Sequence, residues 1–77
     1  MVHLKKIKIN DGFAEADYYP ETELKPGHIR VDIATEDIIE HINPEEYFGT
    51  YANHARMELV RMAKSGDTRT ESMTMWY

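Results

Sequence analysis

The segment from residue 43 to residue 66, NPEEYFGTYANHARMELVRMAKSG, constrains this chain more than any other. It reads as one long amphipathic helix with signals at both ends. Asn43 suits the N-cap, where its side-chain oxygen accepts from an otherwise unpaired backbone N–H. Pro44 fits the first helical position, which needs no N–H. Glu46 stands three residues after the cap, and Glu45 and Glu46 both favour the positive end of the helix dipole. Ile42 and Tyr47 occupy the two positions of a hydrophobic staple. Lys64-Ser65-Gly66 is the stop, a cation in the last turn followed by a glycine able to take the left-handed cap conformation. At ~1.5 Å per residue such a helix runs roughly 31 Å.

A turn of about 100° per residue puts Phe48, Ala52, Ala55, Leu59 and Met62 on one face, bounded by Tyr51 and Ala63. This is the expected core face, with alanines that permit close approach to a sheet. Thr50, Asn53, Met57, Arg61 and Lys64 fall on the far side and are expected in water. Between the two lies a mixed flank of Tyr47, Tyr51, His54 and Glu58. Tyr51–His54 and His54–Glu58 are helical neighbours by spacing. A carboxylate beside an imidazole orients it and raises its pKa, and a phenol can donate or accept a proton. The flank is therefore the candidate acid/base site, with Tyr51, His54 and Glu58 as candidate catalytic residues. The commoner reading of such a set is structural: boundary tyrosines and a helical His–Glu pair.

The other segments alternate with period two. Val2 and Leu4 are out of phase with Ile7 and Ile9; a β-bulge at Lys5-Lys6 would put all four on one face, and a frayed first half is the alternative. Asn10-Asp11-Gly12 is a hairpin turn signal. Residues 13–19 follow as a strand with Ala14, Ala16 and Tyr18 in phase. Residues 20–27 read as a loop closed by a type II turn at Pro26-Gly27. Residues 28–34 alternate, with Ile29, Val31 and Ile33 on one side. Thr35-Glu36-Asp37 turns the chain into a short strand at 38–42, whose three isoleucines do not share a face. The last strand is expected within 68–77, where Met73, Met75 and Tyr77 alternate with Trp76.

The order β-β-β-β-α-β predicts an α+β two-layer sandwich, a single domain over 1–77. Its antiparallel sheet of four to five strands, ordered 5-1-2-3-4, carries one long helix across one face. The other sheet face, with Glu15, Asp17, Arg30 and Asp32, is expected to be wet.

At 77 residues the chain buries only about 60% of its unfolded surface. With no cysteine it has no disulfide staple, and small unstapled domains often gain stability by association. A homodimer, or another protein partner, is the expectation. Met73, Met75, Trp76 and Tyr77 are the candidate interface, because Met adapts to irregular partners and Trp and Tyr anchor interfaces. If Met73, Met75 and Tyr77 face the helix, Trp76 faces out.

The formal net charge of −5 argues against phosphate-backbone binding, despite the cluster Lys5, Lys6 and Lys8. Sheet-plus-helix modules that bind single-stranded nucleic acid share this outline, which by itself carries no function. His3, His28, His41 and His54 fall on four different expected elements and match no zinc pattern, so no metal is expected. Nucleophile and phosphate-loop motifs are missing too, so no cofactor is expected. No membrane span or export signal stands out, and a cytoplasmic location is the default. The leading expectation is a non-enzymatic interaction module that self-associates through its C-terminal edge strand. A small enzyme or ligand-binding domain using Tyr47, Tyr51, His54 and Glu58 is the alternative. Single-stranded nucleic-acid binding through the three lysines comes third.

Overall fold

Chain reversal at Asn10-Asp11-Gly12 starts the sheet. Asp11 and Gly12 take φ angles of 50° and 82°, the two positive values that a type I′ turn requires. The computed structural model describes residues 1–21, 25–42 and 50–74. The described elements are β1 (Val2–Asn10), β2 (Phe13–Pro20), β3 (Gly27–Asp32), β4 (Ile38–Ile42), α1 (Thr50–Ser65) and β5 (Ser72–Thr74). All strand pairs are antiparallel, in the order β4-β3-β2-β1-β5. This is the expected α+β sandwich, and the helix lies chiefly over β2, β3 and β1.

The phase change in β1 is resolved as expected, by a bulge. Lys5 pairs with Asp17 but the next pair is Lys8 with Glu15, so β1 carries one extra residue, and Lys6 takes a left-handed φ of 56°. The extra residue returns Ile7 to the core side, where it is buried with Val2 and Leu4. From β2 and β3 the core takes Ala14, Ala16, Tyr18, Ile29 and Val31; from the helix it takes Ala52, Ala55, Leu59, Val60 and Met62. Alanines on both layers let backbone approach backbone. Thr50, Asn53, Met57, Arg61 and Lys64 are exposed, as their spacing predicts. The buried arc is wider than the expected stripe, because Val60 on one shoulder and Glu58 on the other are also covered.

The helix stop matches the sequence. Gly66 has φ 74° and the Asp67 N–H donates to the Met62 carbonyl at 3.0 Å, the 6→1 bond of a Schellman cap. The expected helix start, with Asn43, Pro44, Glu45, Glu46, Tyr47, Phe48 and Gly49, lies outside the described residues.

The strands differ from expectation at three places. Gly27 is not a turn residue; it enters β3 opposite Tyr18. Ile33 and Ala34 leave the strand, because the Asp32 carboxylate accepts from the Ala34 and Thr35 N–H groups at 2.9 and 3.3 Å and bends the chain early. β4 has its own bulge: Val31 pairs with Ile38 and Arg30 with Glu40, one residue too many on β4. That extra residue explains the mixed phase of its isoleucines. Ile38 packs on the core, while Ile39 and Ile42 are 48% and 67% exposed.

Candidate functional site

Among the described residues of the helix flank, Tyr51 and Glu58 bond different partners. The Tyr51 hydroxyl donates to Glu21 Oε1 at 2.9 Å, and the same oxygen takes the N-terminal amine at 2.9 Å. Those two bonds, the amine first, hold the Glu21 carboxyl below its usual range. Glu58 turns away from His54. Its carboxylate takes a two-pronged bond from Arg61, at 2.6 and 2.9 Å, and a bond from the Ser72 hydroxyl at 2.5 Å. The Arg61 fork lowers the Glu58 pKa against the opposing effect of burial, and Ser72 adds to the lowering. Tyr47 lies outside the described residues. The flank is thus divided among a strand-end contact at Glu21 and a helix-to-β5 clasp at Glu58.

The β5 clasp fixes the phase of that strand. Ser72 is buried against Glu58, and Met73 is 46% exposed on the opposite, open face of the sheet. The condition under which Met73 would face the helix is therefore not met. A buried carboxylate selects a hydroxyl partner beneath it, and the period of two then sends Met73 outward. Met75, Trp76 and Tyr77 lie outside the described residues. β5 is the outermost strand on its side, joined to β1 through Val2–Thr74, His3–Met73 and Leu4–Ser72.

The open face carries an ordered charge pattern that sequence spacing alone does not reveal. Register places Lys8, Glu15, Arg30 and Glu40 in one row across β1 to β4, with Lys5, Asp17 and His28 in the next. In the first row neighbouring strands therefore alternate in sign, without closing to ion-pair distance. His28 Nδ1 lies 2.8 Å from Asp17 and its Nε2 3.4 Å from Glu15. Arg30 stacks on Phe13 at 4.6 Å and Lys5 lies over Tyr19 at 5.3 Å.

A second feature was missed from sequence. Tyr18 reaches across β3 and bonds His41 Nε2 on β4 at 2.5 Å. Burial pushes its phenol up to about 12, so the hydroxyl of this bond stays protonated at neutral pH. The bond joins residues 23 positions apart and is visible only once the register is known. Among the described residues no three of His, Asp and Glu converge to hold a metal ion, and no helix is long and apolar enough to cross a membrane. No protein-family model, curated protein or solved structure matches this chain.

Proposed function

We propose that this chain is a small protein-interaction module that self-associates through the β5 edge, with Met73 at the centre and Met75, Trp76 and Tyr77 contributing beyond it. The observation that carries the reading is the position of β5: outermost in the sheet, with Met73 turned to the open face. An outermost strand offers a row of N–H and C=O groups to another strand. Antiparallel pairing of two copies about Met73 sets Ser72 opposite Thr74 of the second copy and brings the two Met73 side chains together. The contact is isologous, as a two-fold interface must be. A three-residue strand contact is small, so the dimer forms weakly and depends on concentration.

Sedimentation velocity over a wide concentration range tests this. The mass rises toward that of two chains, and Met73→Lys, which sets two like charges at the axis, returns it to one. A strict monomer at the highest concentration, or a Met73→Lys protein that associates unchanged, refutes the reading. The acid/base alternative has less support, because Glu58 serves Arg61 and Ser72 rather than His54.

A further inference from the structure

The bulge in β1 leaves a second opening on the same side of the sheet. β5 covers β1 only from Val2 to Leu4. Beyond the bulge a single backbone bond crosses that edge, from the Ile7 N–H to the Thr70 carbonyl at 3.0 Å. Backbone groups of a strand alternate sides, so the Ile9 N–H and C=O point the same way as those of Ile7, away from β2. Beside them, between β1 and the end of α1, lies a cavity of about 290 Å³. Ile7, Ile9, Met62 and Ala63 form its apolar lining and Asp67 and Arg69 stand among its polar residues. The volume is just under the range of about 300–1,000 Å³ usual for small-molecule sites, and it is large enough to admit a branched side chain.

Charges of both signs stand around this opening. Lys6 and Lys8 are exposed and make no ion pair with the described residues. Asp67 is already neutralised, since the Arg69 guanidinium grips it at 2.7 Å and holds its carboxyl well below the usual range. In a chain of net charge −5, Lys6 and Lys8 are thus cations outside the described ion pairs at this edge, with Glu71 beside Lys6 and Glu15 opposite Lys8. A strand added to β1 alternates its side chains as β1 does. Those on the helix side meet the cavity, and those on the open side meet Lys8, which shares its face with Glu15.

We infer that the β1 edge at Ile7–Ile9, with the cavity beside Ala63, receives an extended segment of another protein in which an aliphatic side chain is flanked by acidic ones. The aliphatic group fills the cavity, the main chain bonds Ile9, and the carboxylates face Lys8. This site is separate from the β5 edge and does not depend on self-association there.

The test is a titration of the full chain, followed by amide NMR shifts, with the capped peptide Ser-Glu-Ile-Glu-Ser. Two controls replace both glutamates by lysine or the isoleucine by serine. The acidic peptide is expected to shift Ile7, Ile9, Ala63 and Arg69, with affinity falling as salt is raised. Each control, and the Ala63→Phe protein with its cavity filled, is expected to bind at least ~10-fold more weakly, a loss read directly as a change in Kd. Lys8→Ser, an exposed change, gives the same direction of effect independently of whether Ala63→Phe folds. The inference is overturned if the acidic peptide shifts none of these amides at millimolar concentration, or if the controls bind equally. It is also overturned if Lys8→Ser binds as wild type, or if the same amides shift on concentrating the protein alone, which would give the groove to a second copy.

Discussion

Tyr18 places a phenol where little water reaches it, 1% exposed beneath the sheet's helix layer. Its pKa rises from 10 to about 12 in the fold because the phenolate loses solvation there. A raised folded pKa means that the contribution is complete below the unfolded value and is lost as pH climbs through the folded one. Stability is expected to fall between about pH 10 and 12, with tyrosinate absorbance appearing alongside unfolding. Tyr18→Phe removes the bond to His41 at a cost of about 0.5–1.5 kcal/mol at neutral pH. It also removes this alkaline decline, which urea unfolding at a series of pH values would show. Glu58 behaves in the opposite sense. Its folded pKa is depressed by Arg61, so its contribution is present above the unfolded value near 4.3 and disappears as pH falls through the folded value. Glu58→Gln is expected to cost about 1–3 kcal/mol at pH 7 and to flatten the acid limb of the same curve.

At the level of elements, the helix is held along its length by contacts of unequal kind. Tyr51 reaches Glu21, Glu58 clasps Ser72, and Lys64 bonds Glu36 in the β3–β4 turn at 2.8 Å, with Arg56 bonding the carbonyl of the same residue at 3.3 Å. Its end depends on Gly66. No atom lies within 4 Å of where a Cβ would stand, so Gly66→Ala meets no clash and its cost is the left-handed backbone alone. That cost is about 1–2 kcal/mol, measurable as a lowered midpoint in thermal unfolding monitored by circular dichroism. Such local features were legible in the chain, because caps, the Asp-Gly turn and the β1 phase change are written within a few neighbouring residues. The strand order followed from short connections. What was not legible depends on register between distant residues. The partner of Glu58 is Ser72, 14 positions away, whereas spacing on the helix pointed to His54. The phase of β5 follows from that same bond rather than from its methionines. Tyr18 meets His41, 23 positions away, across β3.

For the whole molecule, the two sides of the sheet are unlike. One side ends in β5 and the uncovered part of β1; the other ends in β4, whose additional residue breaks the even spacing of its backbone groups. Bulges of this kind are a recognised means of blunting an edge. Deleting Ile39 is expected to straighten β4 and, if the chain pairs through β5 as proposed, to yield species larger than two chains, detectable by light scattering. A sheet receptive along one side alone cannot pass a growing stack onward. In a dimer joined through β5, as proposed, both outer margins would be the bulged β4 strands, and in-sheet growth would stop there. The isoleucines that leave β4 so exposed can then stand in water without seeding fibres, guarded by a single surplus residue in the backbone.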